Sequence, residues 1–409
     1  MKGKYSRIHP AAIIILLLVV FLTAGSPATA FAGTKLMVVS DLHYLEPSLY
    51  RGSELFLQVL RKGDGKITQF SEELLAALYR ELLAEQPDAL IVTGDLSFNG
   101  EKKSHEALAD WFGTVEQAGI PVWVIPGNHD INTSSPVGFS EEMYYEVAAA
   151  SPEDFSLIYA DYMEPGEAGF SYLTKVSSSL WVAMTDVSWY QDQAQTFGIF
   201  TARHDTWLEK ALKQARAEGV QVVTATHHSL LAHTDFSRES FLMFGNEGMA
   251  ALLRQYGVKL NLSGHLHIQH IVQEDGLADA ALGAFCIWPH RYAIVTLGDD
   301  GALAYDARSL SSGFLPDGFL EYSREWFAGI AAEKTKASLT GTDGENTLMA
   351  DYASRFSLAY FAGTFRKDDP SWTEDPAYAL WERQDAPSWI YTKQVMNEAS
   401  GNSLHLDLP

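Results

Sequence analysis

Side chains that bind metals or transfer protons stand directly after five short apolar runs of this 409-residue sequence. Seven of them offer oxygen or imidazole donors, namely Asp41, His43, Asp95, Asn128, His227, His265 and His267. No cysteine is among them, and such donors without thiolate suit Fe, Mn, Zn or Co. Seven ligands are too many for one tetrahedral ion. The sequence therefore predicts two divalent ions that share a bridging carboxylate.

The elements that position these residues are predicted by six short apolar runs, typical of strands buried on both faces. The runs cover residues 35–40, 88–93, 121–126, 180–185, 220–226 and 258–263. Helical patterns lie between several of them, with apolar stripes near residues 74–82, 108–115 and 206–217 and with Ser71 as a predicted N-cap. Strands alternating with helices predict an α/β sheet, whose ligands bind at the carboxyl ends of the strands.

Local spacing adds two expectations about the backbone near the site. The alternation in Asp41-Leu42-His43 and in His265-Leu266-His267 turns both polar side chains to one side if the backbone is extended. The glycines at positions 94, 127 and 264 are expected to let the chain turn sharply beside the ligands.

The pattern changes towards the C-terminus. Shorter strands with turns from residue 268 to about residue 304 predict an antiparallel finish to the sheet. A Ser/Gly/Pro-rich stretch at residues 309–318 is typical of a linker, and helical segments are expected at residues 319–336, 346–365 and 376–399, with tryptophans as a small core. We predict a main domain at residues 33–308 and a small helical domain, residues 316–409, packed on it as a C-terminal extension.

The first 32 residues are typical of a secretory signal peptide. A basic start precedes a twelve-residue apolar run at positions 11–22, which suits a signal sequence and is shorter than the roughly 20 residues that span a bilayer. Small residues favour cleavage after Ala32, with Ala30 as the competing site. An uncleaved N-terminal membrane anchor is the alternative. The sequence thus predicts a secreted protein, in which the single cysteine, Cys286, is a small buried side chain.

Five motifs, taken together and in their order along the chain, resemble those of the calcineurin-like metallophosphoesterases. They are Asp41-x-His43, Gly94-Asp95 followed by Gly100, Gly127-Asn128-His129-Asp130, His227, and Gly264-His265-x-His267. The resemblance covers about residues 35–300 and implies a four-layer α/β/β/α sandwich with a dinuclear metal site. Within the family, the chain is most similar to secreted bacterial class III cyclic-nucleotide phosphodiesterases.

The resemblance also implies a role for each residue. The first ion would be held by Asp41, His43, Asp95 and His267, and the second by Asp95, Asn128, His227 and His265, so that Asp95 is the bridge. His129 would be the catalytic histidine. Only one residue of the pair His227-His228 can occupy the ligand position, and His227 is preferred because the family usually uses the first histidine of such a pair. Asp130 and His228 are expected beside the ligands or at the rim, and Asp130 either orients His129 or caps a turn.

These expectations predict dimetal-dependent hydrolysis of phosphoesters, with small phosphodiesters such as cyclic nucleotides as the favoured substrates. Two divalent ions about 3.5–4 Å apart can lower the pKa of a bound water towards about 7, which gives a metal-bound hydroxide for in-line attack. His129 would stabilise the phosphoryl charge or protonate the departing alkoxide. The alternatives are a phosphomonoesterase or nucleotidase, a nuclease, and a non-catalytic cell-surface metal-binding scaffold.

Charge restricts the partners. The chain has 29 Lys and Arg against 52 Asp and Glu, a formal net charge of −23. Binding to long nucleic acids depends on basic residues that neutralise phosphates, and anionic membrane surfaces attract basic segments. We therefore expect neither as a partner. A small phosphodiester is not disfavoured, because the ions themselves would dominate the field at the site.

Other polar residues are expected to have structural roles. Asp186 ends a strand and is predicted to be a hydrogen-bonded turn residue. The run Gly63-Asp64-Gly65-Lys66 resembles a phosphate loop only faintly, because no strand precedes it and Ile67 occupies the Ser/Thr position, so a surface turn is predicted. His233 and His270 lie close enough to the motifs in sequence to line the substrate rim.

Overall fold

The computed structural model describes residues 33–164, 166–191, 194–234, 241–383, 387–398 and 403–409. The predicted signal peptide, residues 1–32, lies outside the described residues. The strands, in chain order, are β1 (Thr34–Val39), β2 (Ala89–Thr93), β3 (Val122–Ile125), β4 (Val137–Phe139), β5 (Tyr144–Glu146), β6 (Tyr172–Lys175), β7 (Leu180–Met184), β8 (Gln221–Ala225), β9 (Leu260–Ser263), β10 (His270–Glu274), β11 (Leu277–Ala281), β12 (Arg291–Leu297), β13 (Leu303–Ser309) and β14 (His405–Leu408).

Within the described residues these strands form two six-stranded sheets and one hairpin. The first sheet has the order β14-β13-β12-β1-β2-β3, and the second has the order β10-β11-β9-β8-β7-β6. Strands β1, β2 and β3 are parallel, as are β7, β8 and β9. The six predicted strands are therefore confirmed. The predicted antiparallel finish is confirmed for β10, β12 and β13, whereas β11 pairs parallel to β9.

The helices of the described residues cover the outer faces of these sheets or follow them. They are α1 (Glu54–Lys62), α2 (Ser71–Glu85), α3 (Lys102–Gln117), α4 (Pro152–Ile158), α5 (Ala202–Glu218), α6 (Asn246–Tyr256), α7 (Phe319–Lys336), α8 (Asp343–Phe361), α9 (Pro376–Trp381) and α10 (Pro387–Glu398). The three helices predicted between the strands correspond to α2, α3 and α5. Ser71 is not the N-cap of α2 but its first residue, because its backbone angles are helical (φ −58°, ψ −34°), and its hydroxyl donates to the Thr68 carbonyl at 2.8 Å.

Successive side chains of the central strands pack on opposite faces of each sheet. Val38 of β1 packs between the two sheets, whereas its neighbour Val39 packs against α2 and α3. Ala183 of β7 packs against α5 and α6 on the far side of the second sheet. The layers are thus helix, sheet, sheet and helix, which confirms the expected α/β/β/α sandwich.

Helices α7 to α10 follow the sandwich in sequence. Trp381 and Trp389 stack with ring centroids 5.3 Å apart in an apolar cluster that also includes Trp372, whereas Trp326 packs against the sandwich. The segment predicted as one helix over residues 376–399 contains two helices, α9 and α10. After them β14 pairs antiparallel with β13, a strand where the sequence analysis predicted only helices. No helix among the described residues is both long and apolar enough to cross a membrane.

Candidate metal centre

The predicted ligands lie on tight loops at the carboxyl ends of β1, β2, β3, β8 and β9. Five of them have a positive φ, namely Asp41 (55°), His43 (42°), Asp95 (48°), His265 (65°) and His267 (61°). A left-handed conformation costs a non-glycine residue about 1–3 kcal/mol. Residues in this conformation are found most often at functional sites. The expectation of extended backbone at Asp41–His43 and His265–His267 is therefore wrong. Hydrogen bonds between the loops hold them instead, such as His43 N to the Asp95 carbonyl at 2.9 Å.

Two glycines beside the ligands are required for close approach rather than for a sharp turn. A Cβ at position 264 would lie 1.9 Å from Ser40 Oγ and 2.7 Å from Asp41 Oδ2. A Cβ at position 127 would lie 2.2 Å from Asp95 Oδ1. Any side chain at either position would therefore displace a predicted ligand or its loop.

A first group of donor atoms comes from Asp41, His43, Asp95 and His267, and these atoms all lie within 4.8 Å of one another. His43 Nε2 is 3.2 Å from His267 Nε2 and 3.5 Å from Asp95 Oδ2. His267 Nε2 is 3.3 Å from Asp41 Oδ1. Two imidazoles and two carboxylates thus converge on one point, as a metal ion requires.

A second group comes from Asp95, His227 and His265, also within 4.8 Å of one another. His227 Nε2 is 3.3 Å from Asp95 Oδ1 and 3.1 Å from Asn128 Oδ1. Asp95 therefore offers Oδ2 to the first group and Oδ1 to the second, the arrangement of a bridging carboxylate. His227 Nδ1 lies 2.9 Å from the Thr93 carbonyl, so Nδ1 carries the proton and Nε2 is left as the ligand atom.

The donor atoms fit two transition-metal ions. His265 Nε2 is buried and has no hydrogen-bond partner among the described residues, which leaves a polar atom unsatisfied unless an ion binds it. Burial lowers the pKa of His43 and of His265 well below the usual range, so both rings are neutral and able to bind metal. Although burial opposes it, Asp95 raises the pKa of His227 to about 9, so an ion that binds Nε2 of this ring displaces a proton from it. Carboxylates and neutral imidazoles without thiolate are donors for Fe, Mn, Zn or Co.

His129 lies beside the first group of donor atoms. Its main-chain N–H donates to Asp95 Oδ1 at 2.8 Å, and its ring centroid is 5.1 Å from that of His43. Its Nδ1 is 3.1 Å from Asn99 Oδ1, so Asn99 orients the ring. Asn99 was not singled out by the sequence, although it directly precedes Gly100 of the second motif.

Asp130 contacts main chain rather than the His129 ring. Its carboxylate accepts hydrogen bonds from the N–H groups of Ser97 at 2.9 Å and Gly127 at 2.7 Å. It therefore ties the loop after β2 to the loop after β3, and of the two roles left open by the sequence these contacts correspond to the capping one. His228 is buried outside both donor groups, with Nε2 3.1 Å from the Thr196 carbonyl, and burial lowers its pKa to about 3. The geometry thus brings His227 into the group, as expected.

A cavity of about 470 Å³ opens beside the two groups. Polar side chains line it, including Asp95, Asn128, His129, His265 and His267, and so do five apolar or aromatic side chains, Phe241, Leu266, Ile268, Tyr360 and Phe361. The last two belong to the end of α8, so the C-terminal helices contribute to the cavity. His233 lines its rim as predicted, while His270 contacts His233 from behind, with 3.0 Å between the two Nδ1 atoms.

Asp64 and Lys66 also line this cavity, so the prediction of a surface turn at residues 63–66 is wrong. Asp64 Oδ2 lies 2.9 Å from His267 Nδ1 and 2.9 Å from Lys66 Nζ. No spacing rule could have found them, because the segment is remote in sequence from every motif. Asp186, by contrast, is the hydrogen-bonded turn residue that was predicted, accepting from Phe170 N and Ser188 N at 3.1 Å.

The fold and these ligands are those of a calcineurin-like phosphoesterase, and the chain belongs to that family. The family model matches residues 34–269, which include β1 and every predicted ligand. A dimetal phosphatase from Danio rerio has a similar fold, with a TM-score of 0.50 and 14% identity over 68% of this chain and 97% of that one.

Two relatives have phosphodiesterase names. A probable glycerophosphodiester phosphodiesterase of Arcobacter nitrofigilis is 26% identical over 216 residues, which cover 50% of this chain and 68% of the relative. A probable cyclic nucleotide phosphodiesterase of Synechococcus is 46% identical over 55 residues, which are 13% of this chain and only 20% of that relative.

Proposed function

We propose that this protein is a secreted two-metal phosphodiesterase that hydrolyses small phosphodiesters such as cyclic nucleotides. The observation that carries the proposal is the carboxylate of Asp95, whose two oxygens face two separate groups of donor atoms beside one cavity. The family and the phosphodiesterase names of both relatives support the reaction class.

The roles follow from the contacts of each side chain. Asp41, His43, Asp95 and His267 would hold one ion, and Asp95, Asn128, His227 and His265 the other. Bound there, the two ions would supply Lewis acidity towards phosphoryl oxygens and a water of lowered pKa. Asn99 fixes the proton of His129 at Nδ1. Nε2 is therefore the atom at which His129 takes up a proton and passes it to the departing alkoxide.

The shape of the cavity favours a nucleotide over a glycerol diester. Its polar side chains suit the phosphoryl group, and its aromatic side chains, which include Phe241, Tyr360 and Phe361, suit a planar apolar group such as a nucleobase. A glycerol group has no planar face to place on these rings. The glycerophosphodiesterase name of one relative makes glycerol diesters the second candidate substrate class.

The test is a substrate panel on protein loaded in turn with Mn, Fe, Zn and Co. Bis(p-nitrophenyl) phosphate is compared with p-nitrophenyl phosphate, and 3′,5′-cyclic AMP with glycerophosphocholine. We expect kcat/KM to be higher for the diester and for the cyclic nucleotide. A preference for monoesters would make the protein a phosphomonoesterase, plasmid cleavage would make it a nuclease, and two bound ions without turnover would make it a scaffold.

We also propose that residues 1–32 direct export, with residues 33–308 as the catalytic domain and residues 316–409 as its extension. The basic start and the twelve-residue apolar run at positions 11–22 support export. N-terminal sequencing of the protein recovered outside the cytoplasm is expected to begin at Gly33. An intact N-terminus in the membrane fraction would favour the anchored alternative.

A further inference from the structure

A lysine ammonium group lies at the metal centre although the reaction assigned above does not use it. The Lys66 side chain is 15% exposed and lines the cavity together with Asp95, His129 and His267. Its Nζ and His267 Nδ1 share one acceptor, Asp64 Oδ2, at 2.9 Å each. One carboxylate oxygen of Asp64 thus connects the ammonium group to the ring of His267, a predicted metal ligand.

The contacts of Lys66 leave part of its hydrogen-bonding capacity for a ligand. An ammonium group has three N–H donors. Among the described residues, Asp64 is the side chain that accepts from it. A largely buried cation is tolerated because this carboxylate pairs with it. The remaining donors are available to an anion that occupies the cavity.

The turn that carries Lys66 is held rigidly by helix α7. Gly65 has a φ of +104°, and a Cβ there would lie 2.3 Å from a ring carbon of Phe327. Trp326 Nε1 donates to the Lys66 carbonyl at 3.2 Å, and Ile67 N donates to the Cys286 carbonyl at 3.0 Å. The ammonium group is therefore positioned before any substrate arrives, as electrostatic stabilisation of a transition state requires.

We propose that Lys66 is a substrate-binding residue that contacts a non-bridging oxygen of the phosphoryl group, and that Asp64 positions both Lys66 and His267. The inference rests on the proposed function, and it names the anion-binding group of that site. Lysine binds phosphate oxygens as a compact point charge. Negative charge grows on those oxygens during attack, so the contact strengthens towards the transition state.

The experiment compares Lys66→Met and Lys66→Arg with the matched control Lys62→Met, which removes an exposed lysine of α1. Each manganese-loaded protein is assayed for metal content, for the dissociation constant of inorganic phosphate by calorimetry, and for kcat/KM on bis(p-nitrophenyl) phosphate. For Lys66→Met we expect unchanged metal content, phosphate binding weakened at least 10-fold, and kcat/KM lowered by about 10²–10³-fold. Lys66→Arg is expected to retain part of the phosphate affinity and part of kcat/KM. Lys62→Met is expected to match the wild type in all three measurements.

Phosphate binding within twofold of the wild type in Lys66→Met would overturn the assignment. Loss of metal in that variant would overturn it as well, because Lys66 would then act only through Asp64 and His267. Asp64→Asn should instead weaken metal binding about 10–100-fold and weaken phosphate binding with it, because Asp64 contacts both His267 and Lys66. If Lys66→Met does not fold, Lys66→Gln is judged by the same criteria. If the wild type hydrolyses no diester but binds phosphate through Lys66, the proposed function fails and this inference stands.

Discussion

The two sides of the metal centre are held by different parts of the molecule. On one side, the ring of His267 is oriented by the side chain of Asp64, at 2.9 Å, from a turn packed against α7. On the other side, the ring of His227 is oriented by the main-chain carbonyl of Thr93, at 2.9 Å, within the central strand β2. The His227 ring is therefore oriented from within the sandwich, whereas the His267 ring is oriented by a turn that packs against a C-terminal helix.

The loop after β9 also contacts a C-terminal helix. Gln269 N donates to the Phe361 carbonyl at 3.1 Å, and Arg291 Nη2 donates to the Ala362 carbonyl at 2.7 Å. The end of α8 is thus bonded to the chain just beyond His267. The C-terminal helices therefore contact the metal centre through this loop as well as packing against the sandwich.

The largest effect is expected where the two sides meet. Asp95→Asn removes the charge of the bridging carboxylate. Both ions then lose the anionic ligand that the two donor groups have in common. We predict that metal content falls below one ion per chain and that diesterase activity falls by at least about 10³-fold, since the two ions act as a unit. Metal analysis and a bis(p-nitrophenyl) phosphate assay check this. Two retained ions would contradict the bridging role.

The next effect distinguishes a metal ligand from its neighbour in sequence. Asn128→Ala is predicted to lose the ion on the His227 side, because Asn128 Oδ1 lies 3.1 Å from His227 Nε2. His129→Ala is predicted to keep both ions and to lower kcat by about 10²–10⁴-fold, the contribution of a general acid. The two variants are compared by metal content at equal protein concentration. Full activity in either one would refute the assignment of this site.

A glycine at the end of α8 tests the support from the C-terminal helices. Gly363 has a φ of +69°, and a Cβ there would lie 2.7 Å from the Gln269 carbonyl oxygen, so Gly363→Ala must displace the loop beyond His267. We predict about 1–3 kcal/mol lower unfolding free energy and weaker ion binding, with a larger effect on the His267 side than on the His227 side, because His267 is nearer than His265 to Gln269 in the same loop. Gly329→Ala is the control, because nothing lies within 4 Å of its Cβ, and in helix α7 it should be neutral or stabilising by about 0.5–1 kcal/mol. Equal unfolding free energies and equal ion binding in the two variants would contradict a role of the C-terminal helices in supporting the metal centre.

The smallest effect on the centre is expected at Glu101, which accepts from Asn99 N at 2.9 Å and is fully buried. Burial raises its pKa to about 7 from the ordinary value of 4.5. The neutral acid is therefore favoured in the folded state, so stability is greatest below about pH 4.5 and decreases as the pH rises towards 7. In Glu101→Gln this decrease, on the order of 2–3 kcal/mol, should be absent. Denaturant unfolding of both proteins in EDTA between pH 5 and pH 8 measures the difference, and parallel curves would contradict it.

Local patterns in the sequence were sufficient for the buried parallel strands and the polar residues that end them, whereas the four-layer sandwich was expected from the family resemblance. The sequence did not predict the position of the Asp64–Lys66 turn, the aromatic side chains that α8 places in the cavity, or strand β14. The turn and the aromatic side chains of α8 reach the cavity through long-range packing of α7 and α8. No local sequence pattern predicts such packing. Strand β14 has four residues, too few for alternation to separate it from a loop. The left-handed conformation of the ligands was missed because strain is imposed by the assembled loops.

Stepwise return of manganese to the metal-free protein tests the central claim most directly. The rate of bis(p-nitrophenyl) phosphate hydrolysis is followed against the number of ions bound per chain, with Asp95→Asn measured in parallel. We predict that the hydrolysis rate of the wild type reaches its maximum at two ions per chain. Asp95→Asn should show no such rise in the hydrolysis rate. Saturation at one ion, or equal activity in Asp95→Asn, would contradict a centre in which two ions share Asp95.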